Sequence, residues 1–316
     1  MATPAARAPM LVAGIAAAVC AAAVASDEPE LQPQRLAEGV YHVAGRTAVW
    51  GEAKQARVAN SGFVVGERCV AVIDSGGSPS AGRALQAAVR RISALPVCFV
   101  INTHAHPDHV LGNAAFADGG TTRFVGHQRL AAALAARGPH YLRALKRDFE
   151  AADHVDELVA PSVAVAGTQE LDLGGRVLEL RAWPTAHTDN DLTVLDRRSG
   201  TLWLGDLVFL DHLPVLDGKL VGWRSVLQTL KGWQPTVAVP GHGPVIRDWP
   251  AGMEPTERYL AKLQADVKAA LRDGRSLAET VDRLGAPASG AGGWQLVDAF
   301  HRRNITAAYA ELEWTE

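Results

Sequence analysis

The sequence predicts an α/β fold, because short apolar runs typical of strands alternate with segments that have helical spacing. Residues 69–73 (CVAVI) and 97–102 (VCFVIN) are two such runs. Residues 80–94 between them have helical spacing, with Ser80 as the expected N-cap. A strand, a helix and a strand within about 30 residues make a βαβ unit, in which the two strands are parallel.

The rest of the chain continues this alternation. Strand character is found in residues 39–50, 58–65, 161–183 (with a turn at Gly174-Gly175), 192–195, 201–205 and 236–240. Helical spacing is found in residues 127–154 (with a break at Arg137-Gly138-Pro139), 222–232, 255–284 and 294–312. A linker rich in Gly, Ala and Ser, residues 285–293, separates the last two helical segments.

The composition is typical of a globular protein. Hydrophobic residues make up 48% of the chain and charged residues 21%, so a sizeable core can form. The formal net charge is −3, and both signs are mixed along the chain. Because no basic block or basic–aromatic stripe is present, we expect no nucleic-acid partner. The sequence does not predict the oligomeric state.

The N-terminus has the pattern of a cleavable signal peptide. Arg7 supplies a positive charge, residues 10–24 form an apolar run, and Ala23-Val24-Ala25 suits signal peptidase cleavage before Ser26. The apolar run is short for a membrane span, which needs about 20 residues, so an uncleaved anchor is the less favoured alternative. We expect a protein in the periplasm or outside the cell, with no membrane span after cleavage.

Two cysteines, Cys69 and Cys98, lie outside the predicted signal peptide, and neither belongs to a metal-type Cys-x-x-Cys pair. If the two strands of the βαβ unit are parallel neighbours, both cysteines lie at the same position along the strand direction and so side by side. An oxidising compartment would then permit a disulfide, whereas two buried free thiols are the alternative.

The strongest chemical signal is HAHPDH, residues 104–109, directly after the second strand of the βαβ unit. Imidazole nitrogen and carboxylate oxygen are both good zinc ligands. His104 and His106 alternate in an extended segment and so point the same way, whereas Asp108 and His109 face a second point. One ion cannot use all four donors of so short a loop, so we expect two adjacent metals.

Three further candidate ligands, His187, Asp206 and His242, each follow a predicted strand. Functional groups on loops at strand ends are typical of α/β scaffolds. Taken singly, each of the three is also explained as a capping, turn or buried structural residue. Their order after the HAHPDH segment is what favours a shared metal site.

Taken together, the HxHxDH segment, a distant His, an Asp in a Gly-Asp pair and a His in a PGHGP turn resemble the metallo-β-lactamase superfamily. The resemblance covers residues 38–248 and implies a four-layer αββα metallo-β-lactamase sandwich. It also implies that Asp74, after the first strand of the βαβ unit, supports the metal loop. The implied ligands are His104, His106 and His187 for a first zinc, Asp108, His109 and His242 for a second, and Asp206 as the bridge.

The chain is more similar to some members of that superfamily than to others. Class B β-lactamases carry cysteine or serine where this chain has Asp206. Glyoxalase II-like hydrolases and lactonases resemble this chain in having an aspartate there. The basic C-terminal patch of glyoxalase II is not found in residues 259–275. The segments HTDNDLTV, LDGKLVGW and ELEW resemble quinoprotein relay system zinc metallohydrolases and SoxH-like periplasmic members. The implied organisation is a signal peptide (1–25), a metallo-β-lactamase domain (26–250) and a C-terminal helical extension (251–316).

The resemblance implies an exported hydrolase with two Zn²⁺, although iron and manganese accept similar ligands. A metal-bridging hydroxide would attack the carbonyl of a small thioester, ester or lactone, because metal charge lowers the pKa of water from about 16 to about 7. Asp108 would orient it and carry a proton to the leaving group. His212, His140 and Tyr141 are candidate substrate contacts, although each is also explained as a surface residue.

Three other functions remain open at this point. They are a β-lactamase, a mono-iron persulfide dioxygenase of the same fold, and a periplasmic metal-binding protein without catalytic activity. The presence of all seven implied ligands favours the dinuclear hydrolase.

Overall fold

Two β-sheets pack face to face between layers of helices in the computed structural model, which describes residues 1–2, 30–117, 120–286 and 293–314. The described residues from Leu31 to Trp314 belong to one compact unit. The predicted signal peptide and its cleavage site before Ser26 lie outside the described residues, apart from the first two positions.

The first sheet contains, in the described part of the chain, seven strands that follow one another in sequence order. The first four are antiparallel neighbours, and the last four are parallel. The predicted parallel pair of the βαβ unit is therefore confirmed. The strands are β1 Gln34–Ala37, β2 Val40–Val43, β3 Ser61–Val65, β4 Val70–Ile73, β5 Val97–Ile101, β6 Arg123–His127 and β7 Val163–Val165.

The second sheet is formed by β8 Thr168–Asp172, β9 Val177–Ala182, β10 Leu192–Asp196, β11 Thr201–Phe209 and β12 Val237–His242. Their order is β12-β11-β10-β9-β8, with only the β11–β12 pair parallel among these strands. Strand β11 runs four residues beyond the predicted end at residue 205, so Asp206 lies within it. All nine residues of β11 are buried, and the Gly205-Asp206 pair does not end it as a turn.

The helices are α1 Pro79–Ile92, α2 Pro107–Val110, α3 Leu130–Asp148, α4 Leu220–Lys231, α5 Glu254–Arg272, α6 Leu277–Leu284 and α7 Val297–Leu312. Within the described ranges, no helix is both long enough and apolar enough to cross a membrane.

Alternate residues of the strands build the layers. Val72 of β4 packs with Leu85 of α1 on the outer face of the first sheet, whereas its neighbour Ile73 packs toward the second sheet. The outer face of the second sheet is covered by α4, α5 and α7, through residues such as Trp223 and Ile305. Full burial of one such side chain contributes about 1.5–3 kcal/mol. The order helix, sheet, sheet, helix confirms the predicted αββα sandwich.

Two helix predictions are wrong in detail. Helix α1 begins at Pro79 rather than after Ser80, because the Ser78 hydroxyl accepts a hydrogen bond from the backbone N–H three residues on, and proline suits the first helical position. Helix α3 continues through the predicted break at Pro139. The proline and Ala135, whose carbonyl loses its helical partner, are both exposed, so water can satisfy that carbonyl.

Two other segments also differ from the prediction. Strand character over residues 39–50 is realised only in β2, and the residues after it form a loop. The predicted helix over residues 255–284 is divided into α5 and α6. Gly274 between them has a φ of +70°, a left-handed conformation that ends a helix and that glycine adopts without strain.

A disulfide joins Cys69 and Cys98, whose Cα atoms are 5.7 Å apart. Cys69 precedes β4 and Cys98 lies in β5, so the cross-link ties together two parallel neighbours. This pairing decides between the two alternatives for the thiols. The cysteines are 29 residues apart. In the chain-entropy model, a disulfide that closes a loop of that size raises the free energy of unfolding by about 3–4 kcal/mol.

Arg176 and Asp196 form a buried ion pair at the second sheet, and Arg176 also bonds to the backbone of the first sheet. Arg176 donates to both carboxylate oxygens of Asp196, at 2.9 and 2.6 Å, and to the carbonyls of Glu38 and Val65, at 2.8 and 3.2 Å. The two side chains are only 3% and 0% exposed. Burial alone would raise the pKa of Asp196, but the hydrogen bonds from Arg176 and Ser199 hold it below the ordinary value.

We expect Arg176→Met to lower the free energy of unfolding by about 3–5 kcal/mol, because it leaves the Asp196 carboxylate buried without its partner. Urea unfolding measures the loss. The double variant Arg176→Met/Asp196→Asn, which removes the orphaned charge, should recover part of it. Folding lowers the Asp196 pKa, so the wild-type pair stabilises the folded protein above about pH 4. This stabilisation is lost as the pH falls through the pKa of Asp196 in the folded state. A single variant as stable as wild type would contradict this account.

Candidate metal centre

The seven side chains that were predicted as ligands converge at one edge of the two sheets. All are buried except His106, which is partly exposed. They come from five places in the chain: His104 and His106 in the loop after β5, Asp108 and His109 in α2, His187 in the loop after β9, Asp206 in β11, and His242 at the end of β12.

Four of these residues form a first group, His104, His106, His187 and Asp206, whose ligand atoms all lie within 4.8 Å of one another. His187 Nε2 is 3.1 Å from His106 Nδ1 and 3.4 Å from Asp206 Oδ2. His104 Nε2 is 3.6 Å from the same Asp206 oxygen. Three imidazoles and one carboxylate oxygen therefore surround one point.

Asp108, His109 and His242 form a second group with the same spacing. Asp108 Oδ2 lies 3.6 Å from His109 Nε2 and 3.4 Å from His242 Nε2. Asp206 reaches this group through its other oxygen, because Oδ1 lies 3.3 Å from His109 Nε2 and 3.5 Å from His242 Nε2. The two oxygens of Asp206 thus face different groups, which is the arrangement that a bridging carboxylate needs.

Glycine is required beside this carboxylate. A Cβ atom at Gly241 would lie 1.8 Å from Asp206 Oδ1, which is far inside contact distance. Strands β11 and β12 can therefore run side by side with Asp206 between them and His242 at the following position. The PGHGP turn that the sequence shows is explained by this close approach.

Buried polar atoms at the centre have no hydrogen-bond partner among the residues that the structure describes. They are Nε2 of His104, Nε2 of His109 and Oδ1 of Asp206. An unpartnered buried polar group costs about 1–3 kcal/mol, and a bound cation would remove that cost. The donors are imidazoles and carboxylates, which suit divalent metal ions. The residues present therefore fit a divalent metal at each group.

The electrostatics differ between the two groups. Burial lowers the pKa of His187 to about 3 and that of His104 well below its ordinary value, so both are neutral at pH 7. Burial acts the same way on His242 and His109, but Asp206 and its neighbouring carboxylates outweigh it and raise the His242 pKa to about 9 and the His109 pKa well above normal. The second group therefore lies in a field that attracts positive charge.

Asp74 holds the start of the metal loop in place. Its Oδ1 accepts a hydrogen bond from the Thr103 backbone N–H at 2.8 Å, and its Oδ2 accepts from the Thr103 hydroxyl at 2.8 Å. Oδ2 also lies 2.8 Å from His109 Nδ1. This contact turns the other nitrogen of that ring toward the second group. Asp74 has a φ of +51°, a conformation that Asp tolerates better than most residues.

Two other imidazoles are oriented by backbone carbonyls. His187 Nδ1 donates to the Val215 carbonyl at 2.6 Å, and His242 Nδ1 donates to the Val58 carbonyl at 3.0 Å. Because a carbonyl only accepts, both Nδ1 atoms carry a proton, and both Nε2 atoms face the donor groups.

His106 is oriented by a carboxylate that nothing in the sequence predicts. Its Nε2 lies 2.9 Å from Asp217 Oδ2, while its Nδ1 faces the first group. Arg137 forms an ion pair with the same Asp217 oxygen. Burial would raise the Asp217 pKa, but His106 and Arg137 hold it well below its ordinary value. Asp217 therefore stays ionised.

A cavity of about 310 Å³ opens onto both donor groups, since His106, Asp108, Asp206 and His242 are among the residues that line it. Its other walls combine apolar and aromatic side chains with polar and charged ones, among them Arg137, Asp217 and Arg303. The apolar and aromatic residues include Val49, Trp50, Val58, Phe209, Val215 and Phe300. A small organic molecule with an apolar portion can therefore lie against the donors.

The three candidate substrate contacts, His140, Tyr141 and His212, all line this cavity. His212 is not an exposed loop residue, as its surroundings in the sequence suggest, but is 4% exposed. Its ring lies 4.6 Å from that of His242 and 5.0 Å from that of Phe300. Burial lowers the His212 pKa to about 4 and raises the Tyr141 pKa to about 12. Both are therefore uncharged at neutral pH.

Helix α7 also contributes to the cavity, although it lies in the predicted C-terminal extension. Phe300 and Arg303 are both lining residues, and the Arg303 guanidinium lies 5.9 Å from the Phe300 ring. Nothing in the sequence predicts this, because the helix follows the last predicted ligand by more than 50 residues.

Comparisons with known proteins agree with the fold. The family model described as the metallo-beta-lactamase superfamily matches residues 55–242. No curated protein matches the chain.

Solved structures similar to this one include a metallo-beta-lactamase from Pontibacter korlensis, at 21% identity and a TM-score of 0.59, covering 73% of this chain and 99% of that one. TMB-1 matches at 20% identity and a TM-score of 0.58, with 74% of this chain and 99% of that one covered. A double mutant of the sec-alkyl sulfatase PisA1 matches at 15% identity and a TM-score of 0.68, covering 89% of this chain and 50% of that one. At these identities the likeness shows the shared fold.

The family model covers more than half of the chain, the fold is the αββα sandwich, and the clustered histidines and aspartates fit divalent metals. The chain therefore belongs to the metallo-beta-lactamase superfamily and is a metal-dependent hydrolase.

Proposed function

We propose that the protein is an exported hydrolase that uses two zinc ions to cleave a small acyl compound, such as a thioester, an ester or a lactone. The observation that carries this proposal is the Asp206 carboxylate, whose two oxygens face two separate groups of donors. A centre with one metal needs no such carboxylate. The cavity beside both groups, with its mixed apolar and polar lining, supports a small organic substrate.

The ligand assignment follows from the two groups. Zinc suits donors that are mainly neutral imidazoles with carboxylates. Bound divalent cations would lower the pKa of water from about 16 to about 7 and polarise a substrate carbonyl. We assign His104, His106 and His187 to one ion, Asp108, His109 and His242 to the other, and Asp206 to both.

Asp108 is proposed as the residue that moves a proton. Burial alone would raise its pKa, but His109 and His242 lower it to about 2, so the carboxylate is ionised at neutral pH. It lines the cavity and can accept a proton from water. It can then pass that proton to the departing oxygen or sulfur.

His212 is proposed as a substrate contact of a particular kind. Its Nδ1 lies 2.7 Å from the Leu213 carbonyl, so the neutral ring carries its proton there. The Nε2 atom is then an acceptor. It suits a hydroxyl or an N–H group of the substrate, and it does not suit an oxyanion. Tyr141 keeps its proton at neutral pH and can donate it in a hydrogen bond.

Export is supported by the Cys69–Cys98 disulfide, because disulfides persist in oxidising compartments and are rare in the cytosol. The signal-peptide pattern at the N-terminus supports the same location. We propose that the mature chain begins at Ser26 and lies in the periplasm or outside the cell.

The test has two parts. Protein purified from the periplasm or the medium of expressing cells is analysed by native mass spectrometry, and its activity is then measured on a panel of thioesters, esters, lactones and β-lactams. We expect a chain that begins at Ser26, carries two zinc ions and hydrolyses at least one of the acyl substrates. Chelation should remove both the ions and the activity.

Three outcomes would contradict the proposal. Turnover of β-lactams alone would identify a β-lactamase. One iron per chain, with oxygen consumption on a persulfide, would identify a dioxygenase. Two zinc ions with no turnover of any substrate would favour a metal-binding protein. Full-length protein retained in the cytosol would contradict export alone.

A further inference from the structure

One loop contacts two of the three imidazoles in the first donor group. This loop, residues 214–217, lies between β11 and α4. Its Val215 carbonyl accepts the hydrogen bond from His187 Nδ1 at 2.6 Å, and its Asp217 carboxylate lies 2.9 Å from His106 Nε2. The position of the 214–217 loop therefore sets the orientation of both rings.

Within the 214–217 loop, residues 214–216 are held by a side chain from helix α7. Asn304 Oδ1 accepts a hydrogen bond from the Leu216 backbone N–H at 2.9 Å, and Asn304 Nδ2 donates to the Pro214 carbonyl at 2.6 Å. These two bonds lie on either side of Val215, whose carbonyl faces His187. Asn304 is 0% exposed, so bulk solvent does not reach either bond. Asp217 is held separately, by the Arg137 ion pair and by its backbone N–H, which donates to the His187 carbonyl at 3.1 Å.

Asn304 is itself fixed by its neighbours. Its Nδ2 also donates to the Tyr259 hydroxyl at 2.8 Å, and that hydroxyl lies 3.0 Å from His301 Nδ1. Both hydrogens of the amide are thus used, and one acceptor bond is made. A buried polar network that is satisfied in this way is rigid. It connects α5 and α7 to the 214–217 loop.

We propose that Asn304 is a positioning residue of the metal centre. It fixes the 214–217 loop so that the Val215 carbonyl and the Asp217 carboxylate orient His187 and His106 toward one divalent cation. Helix α7 lies beyond residues 55–242, which the family model matches, so the C-terminal extension completes the centre. The proposal rests on the proposed metal centre and is independent of the substrate.

The expected effect is a loss of affinity for the ion in the first group. Removing partners that orient metal ligands costs about 10- to 100-fold in metal affinity. We expect Asn304→Ala to fall in this range for the first-group ion, with a smaller change for the other ion. The second group is oriented by Asp74 and the Val58 carbonyl, neither of which is in the 214–217 loop.

The test measures the two dissociation constants of Zn²⁺ by competition with a chromophoric chelator, in the full chain and without any substrate. The matched control is Tyr309→Phe, which removes a partly buried hydrogen bond of the same helix, to the Arg275 carbonyl at 2.8 Å. It should keep both affinities within about twofold. If Asn304→Ala does not fold, Asn304→Ser and Asp217→Asn replace it, and each should weaken the first-group ion about 10-fold or more.

The outcomes separate this proposal from the proposed function. Wild-type affinity in a folded Asn304 variant would overturn the positioning role while leaving the dinuclear centre intact. An equal loss in Tyr309→Phe would show a general effect of helix stability and would also overturn it. A wild-type chain that binds no Zn²⁺ would overturn the proposed metal centre itself.

Discussion

Replacing His106 by alanine is expected to abolish hydrolysis and to remove at least one metal ion per chain, while the fold is largely kept. His106 Nδ1 faces the first group, 3.1 Å from His187 Nε2, so its loss removes one of the three imidazoles of that group. The side chain lies at the edge of the cavity and is partly exposed, so its removal leaves no large void in the core. The Asp217–Arg137 ion pair remains.

Metal content by mass spectrometry, circular dichroism and kcat/KM on the best substrate of the panel measure the three effects. We expect a loss of at least 1,000-fold in kcat/KM, about 4 kcal/mol. The matched control is His154→Ala, which removes an exposed imidazole outside the centre and should change neither metal content nor rate. Activity of His106→Ala equal to wild type would contradict the assignment of the first group.

Replacing Asp206 by cysteine is expected to change the distance between the two metals and to lower turnover at least 10-fold, about 1.4 kcal/mol. The two carboxylate oxygens face different groups, whereas a cysteine offers one sulfur atom. A single soft donor cannot reach both groups in the same geometry. This change would also give the chain the residue type found at the equivalent position in class B β-lactamases.

X-ray absorption spectroscopy measures the metal–metal distance, and steady-state kinetics measures turnover. Asp172→Asn is a suitable control, because this carboxylate pairs with Arg68 at the surface, away from the centre. An unchanged distance and rate in Asp206→Cys would show that Asp206 does not bridge. A gain of β-lactam hydrolysis would show that the bridging residue helps to decide which acyl bond is cleaved.

The HAHPDH segment could be recognised from the sequence because its donors are adjacent in the chain. Six residues after a strand are enough to place four donors near two points, whatever the rest of the fold. The βαβ unit could be predicted for a similar reason, since each of its parts has a clear period. His187, Asp206 and His242 needed the resemblance to a family, because no local pattern connects them.

Residues that act on the centre from elsewhere in the chain could not be predicted. Asp217 is 111 residues from His106, and Asn304 is 88 residues from Leu216. A lone carboxylate or amide has no period. Asp217 reaches His106 only through the path of the loop between β11 and α4, and Asn304 reaches that loop only because α7 packs against α5 and the start of α4. The burial of His212 was missed for the same reason, because Phe300 of α7 covers its ring.

The disulfide shows a different limit. Sequence spacing places Cys69 and Cys98 at the same height, but a thiol pair and a disulfide have the same spacing. The register of β4 and β5 and the Cα separation of 5.7 Å decide between them.

The contribution of helix α7 to the cavity affects how the substrate preference of the protein can change. Residues 104–242 supply every proposed ligand, whereas Phe300 and Arg303 line the cavity from a helix outside that range. Among the described residues, Arg303 has no carboxylate partner, so its charge is available to an anionic group on an incoming molecule. We expect mutations at these two positions to reshape the accepted compounds, with Phe300 acting in part through His212, whose ring it covers, provided that Asn304 is retained. A library randomised at 300 and 303 is a direct route to altered selectivity in this scaffold.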